Sequence, residues 1–496
     1  MRNDIASRAR EIALALTSWP SVTGSAEEAA VERLVYCLGP MASTSTLPIP
    51  NDPRRNVFWL KRGRGRRTIV LTGHFDVVPV DDYGDLKPLA FTPESLLPEI
   101  VARLRRTGEN PLALADFESG DYLPGRGLLD MKAGLAAGIA AMETYAGEAN
   151  LLFLGVSDEE DRSAGARAAV PLLPVIAREH GLDIELVINL DAISDQGDGT
   201  VGRVVALGSI GKQLLTAFVV GKEAHACYPQ DGVNAAYLGA ELLTEFELAD
   251  ELAEVSGNEI AAPPTALHAK DMKSGYNVTT PAQSWLYWNT LQHRRSASDV
   301  FDIALMLARR AMARAARKVA RDIPVMTYAE LAARVAPDEI KAKADELAAL
   351  TALDLPERNK LLTAHVWAKS GLSGPAVVMG FGSIPYPAVS LTDAGLEDAI
   401  KAAVRPHGLS SVRYFPGISD MSFFGESSGD LSAAAANTPV WGTGFTMPES
   451  AGFPCINIGP WGRDYHHWLE RLHAPYAFET LPRVLLSVIE AVMNRR

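Results

Sequence analysis

Residues 151–161 read LLFLGVSDEED. An apolar run of strand character stops, and Asp158, Glu159, Glu160 and Asp161 follow at once. Like charges in succession repel, and a solvated loop is the ordinary explanation. The neighbouring segments argue otherwise. RRTIVLTG (66–73) runs into His74-Phe75-Asp76, and ELVINL (185–190) ends in Asp191. CINIGP (455–460) is followed by WGRDYHHWLE, which contains His466 and His467. GRGLLD (125–130) delivers Asp130 to the start of an Ala-rich helix, MKAGLAAGIAAMETY. Short apolar runs alternating with helical stretches indicate a mainly parallel sheet with helices on both faces. In such sheets ligands bind at the carboxyl ends of the strands.

Imidazoles and carboxylates gathered at one sheet edge point to a metal site for zinc, manganese or cobalt. Each residue has an ordinary role when taken alone. Asp130 can cap a helix, His74 can be a satisfied core histidine, and Asp191 can open a turn. Their coincidence at successive strand ends favours the metal. His74 and Asp76 lie two residues apart and face the same side of an extended chain. Asp76 is therefore expected to accept from the second ring nitrogen of His74 and to fix its tautomer. Glu159 and Glu160 diverge in extended backbone, so they can divide the work.

The chain has 496 residues, 47% hydrophobic and 22% charged, more than a single core normally serves. A formal net charge of −13 argues against nucleic acid or an anionic membrane as partner. The basic strip ARRAMARAARKVARD (308–322) fits the exposed side of an amphipathic helix. Cys37, Cys227 and Cys455 form no CxxC pair, which disfavours disulfides and a thiolate zinc site and fits a reducing compartment. The first twenty residues read as an amphipathic helix, not a signal peptide, and no apolar run reaches the ~18 residues of a membrane span. A soluble, cytoplasmic protein is expected. From Gly208 the texture becomes β-α-β-β-α-β, a small two-layer unit. Residues 336–370 read as helical, and GPAVVMGFG (374–382) reads as the return of the first texture. The expected organisation is an α/β domain over 1–206 and 371–496, an inserted α+β, ferredoxin-like domain over 207–335, and a helical connection over 336–370.

GHFDVV, GRGLLDMKAG, VSDEE, NLD and a C-terminal HxxxE (His466 to Glu470) occur in an order that resembles the M20 family of metallopeptidases and amidohydrolases. GKEAHACYPQDGVNAA is similar to that family's lid segment. The long stretch between Asp76 and Asp130, with SGDYLPGRGLLDMK, looks most like the arginine-utilisation (RocB-like) branch. The resemblance implies a zinc-peptidase-like catalytic domain with an inserted lid/dimerisation domain. It implies two divalent ions, zinc or alternatively manganese or cobalt. Asp130 would bridge them, with His74 and Asp191 completing one ion and Glu160 and His466 the other. The HxxxE spacing selects His466 over His467. Glu159 would act as general base on a water bridging the metals and pass the proton to the leaving nitrogen. His225 would stabilise the oxyanion, and in dimeric relatives it does so in the partner's site, which implies a homodimer. Asn277 resembles a substrate-contacting lid asparagine, and Gly417-Ile418-Ser419-Asp420 resembles a G-x-[ST]-D loop beside the site. Where many relatives carry Asp-x-Arg, this chain has Trp288-Asn289-Thr290, which leaves Arg294, Arg295 or Arg413 as a carboxylate-binding arginine. Asp191 stands where acylase- and carboxypeptidase-like branches usually have Glu, a tilt towards aminopeptidase- or dipeptidase-like members. The expected activity is hydrolysis of an amide bond in a small peptide or N-acyl amino acid, in arginine or other amino-acid catabolism. The alternatives are a metal-dependent esterase or deacetylase of a small metabolite, and a non-catalytic metal- or ligand-binding homologue.

Overall fold

The apolar run Arg67–His74 is buried from its second residue to its last, as expected of a strand covered on both faces. In the computed structural model, which describes residues 4–37, 44–195, 202–257, 259–427 and 429–495, it lies inside an eight-stranded sheet. The strand order is Thr44–Pro48, Arg55–Lys61, Asn150–Val156, Arg67–His74, Asp183–Asn189, Cys455–Asn457, Val204–Ala206 and Ser410–Val412. The four strands from Asn150–Val156 to Cys455–Asn457 are mutually parallel, and the ladders of Arg55–Lys61 are antiparallel. Register decides what meets at the edge. His74 pairs with Val156 and Thr72 with Asn189, so His74, the start of Ser157–Glu160, and Asp191 come level.

Helix Ala133–Thr144 is buried along ten of its twelve residues. A Cβ on Gly134 would fall 2.0 Å from the carbonyl oxygen of Leu190, so only glycine lets the helix approach the strand this closely. That approach brings Asp130, just before the helix, beside Asp191. A second sheet joins Tyr122–Pro124, Arg471–His473, Trp461–Arg463 and Ile193–Asp195. His466 is carried by the hairpin between Trp461–Arg463 and Arg471–His473, an antiparallel pair. It therefore reaches the edge from this small sheet and not from the end of Cys455–Asn457. The long stretch before Asp130 folds into a short helical segment, Asp81–Leu89, and the helices Pro93–Thr107 and Pro111–Ser119. The N-terminal helix, Ile5–Thr17, is amphipathic, with Ala9, Ile12, Ala13 and Leu16 buried. Among the described residues no helix is long and apolar enough to cross a membrane.

All of this belongs to one unit, Met1–Ser209 with Ser390–Ser427 and Pro448–Arg496. The second unit is Ile210–Val389 with Ser428–Met447. Its sheet runs Thr265–Asp271, Gln283–Gln292, Gly211–Val220, Ala376–Phe381 and Val325–Thr327. The β-α-β-β-α-β succession is present, but its last strand is only three residues long and lies at the edge. Ala376–Phe381 takes the place beside Gly211–Val220, paired antiparallel over six residues. The run 374–382 therefore belongs to the inserted unit, not to the returning α/β domain. Helices Pro337–Ala348 and Leu355–Lys369 also belong to it. Buried Asn359 ties the second of these to the carbonyl of Gly382 at 3.0 Å. The basic strip lies on helix Ala297–Val319, where Arg310 pairs with Glu251 at 2.7 Å and Arg314 with Glu241 at 3.0 Å. Those arginines are spent on acids of the same unit.

Candidate metal centre

Two groups of ligand atoms assemble at the sheet edge, each within a span of 4.8 Å: His74, Asp130 and Asp191, and Asp130, Glu160 and His466. Asp130 is common to both. His74 Nε2 lies 3.2 Å from Asp130 Oδ1 and 3.7 Å from Asp191 Oδ1. His466 Nε2 lies 3.3 Å from Asp130 Oδ2 and 3.1 Å from Glu160 Oε2. One carboxylate thus offers one oxygen to each group. His467 turns away and accepts from the Leu469 N–H through Nδ1 at 3.2 Å. Glu159 joins neither group but comes within 3.9 Å of His74 Nε2.

The spacing of Asp76 from His74 works differently from the expectation. The Asp76 carboxylate is 3.7 Å from His74 Nδ1, whereas its backbone carbonyl is at 3.0 Å. The carbonyl fixes the ring. The carboxylate accepts instead from the N–H groups of Glu159 and Glu160, at 3.1 and 3.2 Å, and from the Thr23 hydroxyl at 2.9 Å. Asp76 therefore holds the loop that displays both glutamates.

Asp158, given no task from sequence, is buried and has a left-handed backbone. Its carboxylate pairs with buried Arg54, which also meets Glu28 at 3.2 Å and Asp52 at 2.6 Å. Glu28 accepts from the Asp158 N–H at 2.9 Å. Asp158 is thus the root of the acidic loop. Asp161 is exposed and pairs only with its neighbour Arg162 among the described ion pairs. Asn457 brackets Asp191, donating to its carbonyl at 2.8 Å and accepting from its N–H at 3.1 Å. Arg54, Glu28 and Asn457 have no sequence signal, because each acts on a residue remote in the chain.

The electrostatics call for added positive charge. Burial opposes the charge on His466, but Asp130 and Glu160 outweigh it and push its pKa up to about 10. His74 is raised well above the usual imidazole range against the same burial, by Asp130, Asp191 and Glu159. Burial raises Asp130, but hydrogen bonds from His466 and His74 prevail and hold it below the usual carboxylate range. Glu159 is raised well above the usual range by burial and by Asp191, Asp420 and Glu160, against His74. Glu160 and Asp191 are also raised, first by burial. Two nitrogen and several carboxylate donors that hold protons only to offset one another match the donor set of a di-metal centre.

The remaining expected residues are placed as follows. Asp420 is buried near this edge, and its pKa is raised to about 7 by burial and by Asp76 and Asp191, against Ser163 and His74. Ser419 is buried with its hydroxyl 3.3 Å from that of Ser209, and Gly417 opens the same loop, half-buried. Arg413 lies in the first unit, just before this loop. Its guanidinium pairs with Glu397 at 3.1 Å. His225 and Asn277 lie in the second unit. His225 is exposed, and its Nδ1 accepts from the Cys227 N–H at 3.2 Å. Asn277 is exposed, and its Oδ1 accepts from the Thr279 hydroxyl at 2.7 Å and from Lys273. Arg294 and Arg295, also in the second unit, have their N–H groups accepted by Glu254.

Residues 70–437 match the family model for peptidase family M20/M25/M40. The chain is 31% identical to the uncharacterized protein YqjN of Bacillus subtilis, covering 97% of this chain and 95% of that one. It is 28% identical to protein RocB of the same organism, covering 88% and 85%. Among solved structures, it is similar to the M20 family metallo-carboxypeptidase Sso-CP2 of Sulfolobus solfataricus, with a TM-score of 0.56, 11% identity, and coverage of 98% and 99%. It is also similar to aminopeptidase PepT of Bacillus cereus, with a TM-score of 0.54, 13% identity, and coverage of 99% of each chain.

Proposed function

The chain belongs to peptidase family M20/M25/M40 and is a metal-dependent hydrolase, and on that footing we propose that it cleaves an amide bond in a small peptide or N-acyl amino acid at a two-ion centre. The observation that carries the proposal is the pair of ligand groups sharing Asp130, with Glu159 beside them and outside both. His74, Asp130 and Asp191 would hold one ion, and Asp130, Glu160 and His466 the other. Bound there, two divalent ions supply Lewis acidity and an attacking water of lowered pKa. Zinc suits the mixed nitrogen and oxygen donors, with manganese and cobalt as alternatives.

Glu159 takes the proton of the attacking water and returns it to the leaving nitrogen. Without ions, burial and the surrounding carboxylates raise its proton affinity, against His74. Asp76 fixes the backbone that carries Glu159 and Glu160 by accepting from both of their N–H groups. Ser419 and Asp420 sit on a loop of the same unit and would line the substrate's path. His225 would stabilise the oxyanion and Asn277 would contact substrate. If His225 acts as in dimeric relatives, it serves the site of a second copy in a homodimer. The likeness to RocB supports a place in arginine or other amino-acid breakdown. Three free cysteines suit a cytoplasmic setting.

The test is amine release from a panel of dipeptides and N-acyl amino acids, with zinc-, manganese- or cobalt-loaded protein against a chelator-treated control. Chelator-sensitive release is expected, and the preferred pool separates peptidase from acylase. Glu159→Ala is expected to keep both ions by elemental analysis and to lower kcat by about 10²–10⁴-fold, the range for loss of a general base. No release from metal-loaded protein on any member, or full turnover by Glu159→Ala, overturns the proposal.

A further inference from the structure

Arg126 is 1% exposed, and a guanidinium is buried only against anions. Its Nη1 donates to Glu470 Oε2 at 2.8 Å, and its Nη2 to both oxygens of Asp82 at 2.9 and 3.0 Å. The guanidinium also lies over the Tyr83 ring, 5.2 Å from its centroid. A buried pair of this kind is weak evidence for stability alone. The other oxygen of Glu470 has a use of its own. Oε1 accepts from the N–H of Leu129 at 3.2 Å and of Asp130 at 3.5 Å. Asp130 has non-helical torsions, φ −111° and ψ 97°, so helix geometry does not fix its backbone. Glu470 lies on the same hairpin as His466 and is itself 1% exposed. One side chain therefore joins the backbone under Asp130 to the segment under His466.

We propose that Glu470 is a positioning residue for the second ion, clamped by Arg126 and Asp82 so that Asp130 and His466 keep the separation one ion requires. The inference rests on the two-ion reading above. Neither His74 nor Asp191 lies on the hairpin, so the first ion depends less on the clamp. Asp82 belongs to the long stretch before Asp130, and this gives that stretch a role at the metal centre.

Zinc titration of the metal-free full chain, followed by calorimetry and by elemental analysis after gel filtration, tests this. Wild type is expected to take up two ions. Glu470→Gln has a single oxygen for these two donors, so it either accepts from the Leu129 N–H and turns its NH2 group towards Arg126, or accepts from Arg126 and turns its NH2 group towards the Leu129 N–H. It is expected to bind one of the two ions about 10–100-fold less tightly, the range seen when partners of metal ligands are removed, and the other with a smaller loss. Asp82→Asn cuts only the outer end of the clamp and serves if Glu470→Gln does not fold. It is expected to give the same selective loss, towards the lower end of that range. Two ions at wild-type affinity in the folded variant overturn the inference, as does parallel loss of both ions in step with thermal unfolding. A wild type that takes up only one ion overturns the two-ion reading itself, and the inference with it.

Discussion

His466 holds its proton up to about pH 10 in the metal-free site, because Asp130 and Glu160 outweigh the cost of its burial. An ion bound at Nε2 must displace that proton. Below about pH 10 the competition weakens as pH rises, so metal affinity is expected to climb by about tenfold per pH unit for each proton released, and to level off above. Calorimetry in two buffers of different ionisation enthalpy reads the release directly, with at least one proton expected at neutral pH. Affinity that is flat with pH would remove His466 from the ligand set. At this scale the ligands were readable, because strand ends bearing His and carboxylate form a pattern even in one sequence. Their supports were not. Arg54 meets Asp158 across 104 residues and Arg126 meets Glu470 across 344, and no local spacing encodes such pairs. The two-residue spacing put Asp76 on the correct side of His74, but it could not tell a carbonyl from a carboxylate.

Elements are set by how closely they approach. Helix Ala133–Thr144 rests on the carbonyl of Leu190 through Gly134, with no room for a methyl group. Gly134→Ala is expected to push the helix outward and to destabilise the fold by about 1–3 kcal/mol, as overpacking usually does. A lowered urea midpoint with unchanged slope would show it, whereas an unchanged midpoint would mean that the helix has slack. The parallel strands and their order of helices were visible as apolar runs ended by polar residues. Ala376–Phe381 was not correctly placed, because an isolated apolar run carries no information about which sheet it will join. It joined Gly211–Val220, antiparallel over all six of its residues.

At the level of the complete chain, a homodimer that shares His225 makes a prediction that a monomer does not. Glu159→Ala and His225→Ala, each inactive alone, are expected to recover about a quarter of wild-type activity when mixed and allowed to exchange. Half of the dimers are then mixed, and each of those holds one intact composite site. No recovery under conditions where exchange is shown by labelled subunits would mean that His225 does not serve a second copy. The division into two units was apparent from texture, but its boundaries were not, since the inserted unit reclaims Ser428–Met447 after the first unit has resumed. The order in which the ligands appear along the chain has a consequence for synthesis on the ribosome. His74, Asp130, Glu160 and Asp191 emerge first, whereas Asn457, which brackets Asp191, follows it by 266 residues and His466 comes later still. Across the 266 residues between Asp191 and Asn457 the acidic sheet edge has neither its last imidazole nor its last support, and a nascent chain stopped before Asn457 carries four ligands without a finished centre. Uptake of an ion by Asp130, Glu160 and His466 is thereby expected to wait for the hairpin that carries His466, whereas His74, Asp130 and Asp191 are all made before it.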